Sequence, residues 1–191
     1  MRSRKFIFMS LVAAGMIFTA PNFAAAEVQE VDENIYTWVQ STARANYYFN
    51  HRQINYVVND DGFIDLENLV VPALLIYDDI QKEDVISKRR WNMKSRDGYD
   101  QLVGRADYLV FNLVDATVRV RERIDLDEQW GTLDTDTSGQ PIALSSLPHS
   151  GVECKFYRAI LEYAKKHNAE IIKHSWGNET VNKNLGKVVQ N

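Results

Sequence analysis

The sequence has a single cysteine, Cys154. It can therefore form neither an internal disulfide nor a thiolate-built metal centre. Its four histidines, His51, His149, His167 and His174, lack the short spacings that zinc ligands show. No G-x-S-x-G, glycine-rich phosphate loop or H-E-x-x-H occurs, which removes the hydrolase, nucleotide-binding and metalloprotease classes that a sequence can announce. Positive charge is not in excess. A formal net charge of −4 speaks against nucleic acid or anionic lipid as the main partner of the whole surface. Past the first twenty residues no apolar run is long enough to cross a bilayer. There is no internal repeat and no low-complexity tract.

The one long apolar stretch stands at the start. Arg2, Arg4 and Lys5 precede an apolar run from Phe6 to Thr19, Pro21-Asn22 breaks it, and Ala24-Ala25-Ala26 supplies small residues. This is the pattern of a secretory signal peptide over residues 1–26, cleaved after Ala26. No cysteine follows it for a lipid anchor. Loss of the three cations takes the net charge from −4 to about −7 and leaves a soluble, exported chain of about 165 residues, enough for one domain. Exported, it must stabilise itself by packing or pair Cys154 between molecules.

Residues 27–34 are acidic and unpatterned, a flexible lead-in. The domain is expected over residues 35–168. Ile35–Gln40, Asn46–Asn50 and Gln53–Val58 have strand composition. Asn59-Asp60-Asp61-Gly62 is a turn, and Phe63–Leu75 is strand-like, with Pro72 implying an edge or a bulge. Ile76–Arg90 suggests a surface helix and Trp91–Tyr99 a loop. The stretch from Ala106 to Leu133 organises the rest. Leu109, Phe111 and Leu113 alternate with Tyr108, Val110 and Asn112. In the following strand Val118, Val120, Ile124 and Leu126 alternate with Arg119, Arg121 and Arg123. A period of two predicts a half-buried antiparallel hairpin with the three arginines on one face. Pro141–Leu147 is an extended connector with a last short strand.

Ser150 and Glu153 stand at capping-box spacing, and Val152, Phe156, Ile160 and Ala164 then recur at helical spacing. Lys165, Lys166 and His167 suit a helix C-terminus. Residues 169–191 are expected to be a tail, partly disordered: Ile171-Ile172 and Trp176 either extend the helix or dock the tail, and the composition from Gly177 onward suggests disorder. These features predict an α+β fold: an antiparallel sheet of about five to six strands with a C-terminal helix packed on one face.

The order of motifs resembles the bacterial surface-adhesin protein E family. Tyr47-Tyr48-Phe49-Asn50 leads through a turn to Ile54, and a turn ending at Gly62 follows. Asp107-Tyr108-Leu109 and Arg121-Glu122-Arg123-Ile124-Asp125 then run to Gly131-Thr132-Leu133, and Leu147-Pro148-His149-Ser150 opens a helix bearing Glu153 and Tyr157. The resemblance covers Tyr36 to His167. It implies an antiparallel sheet flanked by a C-terminal helix in a secreted or surface protein that binds host or envelope partners. The chain departs from the family in having one cysteine rather than a pair and no lipid anchor. Phe49-Asn50 and the Ile124–Asp127 stretch match its acidic turns only loosely.

Three groups can carry chemistry. Arg119, Arg121 and Arg123, presented together, can fork onto a carboxylate, phosphate or sulfated glycan; a solvated strand face is the bland reading. Asp134, Asp136 and Ser138 before Gly139 alternate as calcium ligands do, although Ser145 occupies the twelfth position that needs an acid. Without calcium they make a polar turn. Lys88, Arg89, Arg90, Lys94 and Arg96 surround Trp91 and suit an acidic partner or plain solvent. Cys154, beside Phe156 and Tyr157, is a packed thiol rather than a nucleophile. The function expected is non-catalytic binding in the bacterial envelope, periplasm or cell surface, adhesin-like, with a homodimer through a sheet edge. The alternatives are a periplasmic small-ligand or anion binder using the arginine row, and an unrecognised hydrolase.

Overall fold

The computed structural model describes residues 30–176. The leader expected at 1–26, residues 27–29 of the lead-in and the tail from 177 lie outside the described residues. Eight antiparallel strands form one sheet: β1 (Tyr36–Ser41), β2 (Ala45–Asn50), β3 (Asn55–Val58), β4 (Ile64–Tyr77), β5 (Leu102–Asn112), β6 (Thr117–Asp127), β7 (Thr132–Asp136) and β8 (Ile142–Ala143). Three α-helices accompany it: α1 (Asp79–Trp91), α2 (Val152–Lys166) and α3 (Asn168–Trp176). The expected α+β class holds, with a larger sheet than the expected five or six strands.

The extra strands have a geometric origin. The main path is β1-β2-β4-β5-β6-β7, while β3 pairs with β4 and β8 with β6. Each long strand thus serves two short partners along one edge. On β4, β2 pairs as far as Ala73 and β3 from Val70. Pro72 falls at the gap between them, opposite Tyr108 of β5. A proline in a central strand removes a ladder donor, and here the flanking partner is interrupted where that donor is missing. Of the edge or bulge expected at Pro72, the edge is not found: β4 lies in the middle of the sheet. Asn50 shapes the gap, its Oδ1 accepting from the backbone N–H groups of Arg52 and Gln53 (both 3.1 Å).

Alternation on β4 sorts the core. Leu69, Val71 and Ala73 point under α2 and α3, joining Phe49, Leu109, Phe111, Val118, Phe156, Ile160 and Ala164. Leu75 and Tyr77 continue that face under α1, where Tyr99, Leu102, Val85 and Ile86 join them. Edge-to-face pairs lock α2 onto two strands, with ring centroids 5.4 Å apart for Tyr47–Phe156 and 5.7 Å for Phe111–Tyr157. Such pairs add about 0.5–1.5 kcal/mol each beyond area burial. Gly104 is required where β5 crosses β4, because a Cβ there would lie 2.0 Å from the Leu75 carbonyl oxygen.

Helix boundaries depart from the sequence reading in two places. Asp78 starts α1, its carboxylate accepting from the Gln81 backbone N–H at 2.7 Å, and Ile76 belongs to β4. The expected capping box at Ser150 is not made. The Gly151 N–H turns back to the Pro148 carbonyl, Gly151 itself is the N-cap, and α2 starts at Val152 with no side-chain cap. Helical structure continues past residue 168 as α3, which docks on β3 through buried Ile171 and through Ser175, whose Oγ accepts from the Tyr56 N–H at 2.8 Å. No helix among the described residues is long and apolar enough to cross a membrane.

Ile160 has no exposed surface at the helix–sheet contact. Ile160→Ala is expected to lower the unfolding free energy by about 2–5 kcal/mol in urea titration; a loss under about 0.5 kcal/mol would mean that α2 is not seated there.

Candidate functional site

The two faces of the sheet offer two very different candidates. On the helix-covered face, charged residues occupy the seam between the α1 and α2 clusters. Arg105 and Asp107 of β5 stand opposite Asp125 and Arg123 of β6, which stand opposite Asp134 and Asp136 of β7. Asp107 is 3% exposed; it accepts a hydrogen bond from Arg123 Nε at 3.0 Å and forms an ion pair with Arg105 Nη2 at 3.0 Å. Tyr99 Oη donates to Asp125 at 2.7 Å. Arg89 of α1 lies over the Tyr99 ring, 4.0 Å from its centroid, and grips Asp134, with Lys94 Nζ 3.7 Å from the same carboxylate.

The electrostatics describe a closed network. Burial pushes Tyr77 and Tyr157 up to about 12, and burial with the Asp125 hydrogen bond raises Tyr99 further. Burial works against the charge on Arg105, but Asp107 and the surrounding tyrosine oxygens leave its affinity for the proton raised. The Arg89 hydrogen bond holds Asp134 below the usual carboxylate range, and the Ser138 hydrogen bonds do so for Asp136. Among the side chains of the described residues only Arg105 Nε is buried without a partner. Asp107 and Asp134 are paired with cations, while Asp125 is held by the Tyr99 hydroxyl and Asp136 by Ser138, so the row ties the sheet to α1 and its acids are each engaged within the protein.

The arginine row expected from the sequence is split. Tyr108 pairs with Glu122 and Leu109 with Val120, so Arg121 is an extra residue in β6. A one-residue bulge exchanges the faces of everything beyond it. Arg123 therefore turns under the helices to Asp107, while Arg121 stays outside, its guanidinium carbon 5.8 Å from the Tyr108 ring centroid. Likewise Val118 and Val120 pack under α2, whereas Ile124 and Leu126 pack on the opposite face.

Asp134 and Asp136 are strand residues of β7, not a loop wrapped around an ion, and Asp134 is committed to Arg89. Ser138 uses its N–H to cap Asp136 at 2.9 Å. Gly139 has a different use: a Cβ there would lie 2.0 Å from the Val120 carbonyl oxygen, so its absence lets the β7–β8 loop close against the bulge. Among the described residues no three acidic, histidine or cysteine side chains converge as a metal site. Cys154 is a partly buried free thiol, with Arg158 Nη2 3.9 Å from its sulfur.

The open face was not legible as a site. Its floor is Leu74, Ala106, Ile124 and Leu126, walled by Val31, Tyr36, Tyr108 and Trp130 around a cavity of about 450 Å³. Tyr108 also borders a second cavity of about 620 Å³, with Arg52, Val70, Pro72, Arg121 and His174 at the β2–β3 gap. Both volumes lie in the range of ligand sites, roughly 300–1,000 Å³. Trp130 is held in the left-handed region (φ 62°) by a turn in which Asp127 Oδ1 accepts from Gly131 N–H at 2.7 Å. Arg119, Arg121 and Arg52 have no acidic side-chain partner among the described residues. The hidden signal was the Glu122 that interrupts the apolar alternation of β6, where the bulge changes its phase.

Asp107→Asn leaves two arginines facing a neutral amide and is expected to cost about 3–5 kcal/mol in denaturant titration; a loss below about 1 kcal/mol would place Asp107 in solvent. Tyr77 and Tyr157 titrate near 12 in the fold and near 10 in the unfolded chain. The folded state therefore holds more protons between those values, and this stabilisation is full below about pH 10 and lost as pH rises through about 12. The urea midpoint is expected to fall above about pH 10, and less steeply in Tyr157→Phe; an unchanged slope in that variant would contradict the burial of its hydroxyl.

Searches with the whole chain against protein-family models, curated proteins and solved structures found no match.

Proposed function

We propose that the chain is an exported, non-catalytic binding protein of the bacterial envelope or surface, adhesin-like, that takes its partner on the open face of the sheet. The observation that carries this reading is the contrast between the faces. One is covered by helices and its acids are engaged within the protein, while the other keeps a mainly apolar trough, rimmed by Glu30 and Asp32, and arginines that form no ion pair among the described residues. Half-exposed aromatics grouped around apolar floor residues are the usual material of a binding surface. The leader-like first 26 residues support export, and the motif order shared with the surface-adhesin protein E family supports an envelope role.

A second reading, a small-anion binder of the periplasm, draws on Arg121 beside Arg52 and His174 at the second cavity. Arg123 leaves that reading, since Asp107 already neutralises it. Fluorescence titration with a neutral naphthylamine and with its sulfonated analogue separates the two.

Ala106→Arg sets a cation between Leu74 and Ile124 on the floor. It is expected to weaken the neutral probe about tenfold, or about 1.4 kcal/mol, with the fold checked by circular dichroism. Equal affinity would remove the open face as the binding surface. Selective loss of the sulfonated probe in Arg121→Glu would favour the anion reading. Fractionation of cells expressing the full chain is expected to find it outside the cytoplasm, and an uncleaved cytoplasmic pool would defeat export.

A further inference from the structure

The end of α1 presents a feature that the open face does not explain. The nine residues from Lys88 to Arg96 (KRRWNMKSR) hold five cations and no acid. Val85, Ile86 and Arg89 face the sheet and loop, so Trp91 projects away from the body, 83% exposed, and Met93 is 95% exposed.

The backbone there is ordered. The Met93 N–H reaches the Arg90 carbonyl at 3.1 Å and the Lys94 N–H reaches the Arg89 carbonyl at 2.9 Å. These two bonds are the Schellman ending of a helix, whose left-handed residue is usually glycine. Here it is Met93, with φ at 53°. A side chain in that conformation is strained, and this one is left almost wholly in solvent among the described residues.

We infer that this tip is a docking patch for an anionic lipid surface. Lys88, Arg90 and Arg96 have no acidic side-chain partner among the described residues, whereas Arg89 and Lys94 are held at Asp134. Lys88 and Trp91 are three residues apart and so neighbours on the helix surface. Cations beside a projecting tryptophan and methionine suit a membrane boundary, where the indole sits at headgroup level and the cations meet lipid phosphates. A soluble polyanion would use the cations and leave Trp91 and Met93 in water, so lipid is the better fit. The acidic remainder of the chain does not prevent this. Fields are screened beyond about 8–10 Å at physiological salt, so the lipid responds to the tip that faces it. Asp97 and Asp100 lie beyond Arg96 and moderate the patch without cancelling it. The patch is independent of the open-face reading.

The test is vesicle co-sedimentation of the full mature chain with phosphatidylcholine alone and with about 30% phosphatidylglycerol added. Partition is expected to be at least about tenfold stronger on the anionic vesicles and to fall about tenfold in Trp91→Ala and in Lys88→Glu/Arg90→Glu. Met93→Gly separates docking from stability: it is expected to raise the melting temperature by relieving strain while weakening partition. Equal partition to both vesicle types would overturn the inference. So would unchanged binding in Trp91→Ala, or binding to heparin with none to vesicles.

Discussion

Between Val120 and Glu122 the strand β6 carries one residue more than its partner β5, and most of the architecture follows from that insertion. Before it, Val118 and Val120 can lie under α2. After it, Arg123 comes round to the buried Asp107, and Ile124 and Leu126 are delivered to the other face. An unbroken strand would put Arg123 with Arg119 and Arg121 in the open and leave the Asp107 carboxylate without its second cation. A buried carboxylate with too little compensation is costly, so the bulge and the acidic residue on β5 require each other. Gly139 completes the device by letting the β7–β8 loop close on the Val120 carbonyl.

The same insertion makes the sheet asymmetric in a useful way. Its helix side acquires a neutralised seam that joins the α1 and α2 clusters, tyrosines included. Its other side acquires apolar residues in excess of what a solvated face needs, with Arg121 laid against Tyr108 at its middle. Among the described residues the three helices all lie on the first side, and residues 30–36 border the second. What the described residues leave uncovered is an apolar floor on a rigid, doubly paired set of strands, which is the setting in which binding residues keep their positions.

Much of this was legible from the residues alone. Strict alternation announced the β5–β6 hairpin, and the helical recurrence of Phe156, Ile160 and Ala164 announced α2 and the face it covers. The illegible parts share one physical cause, the tertiary use of a local signal. Pro72 signals an edge or a bulge, yet it sits in a central strand where two short partners leave a gap beside it. The Asp134–Gly139 spacing suggests an ion loop, yet Arg89 claims the first acid and the glycine serves the bulge. Ser150 and Glu153 have capping-box spacing, yet the Pro148 turn moves the helix start past Ser150 and leaves Glu153 in the first turn without it. The arginine row fails for the same reason: period-two reasoning has no means of counting an inserted residue.

The exchange of faces at Arg121 is best tested by the coupling between Asp107 and Arg123. A double-mutant cycle with Asp107→Asn and Arg123→Met, followed by denaturant unfolding, is expected to give an interaction energy of at least about 1 kcal/mol. A coupling indistinguishable from zero would mean that Arg123 points outward with its neighbours, and both the buried seam and the open trough would have to be redrawn.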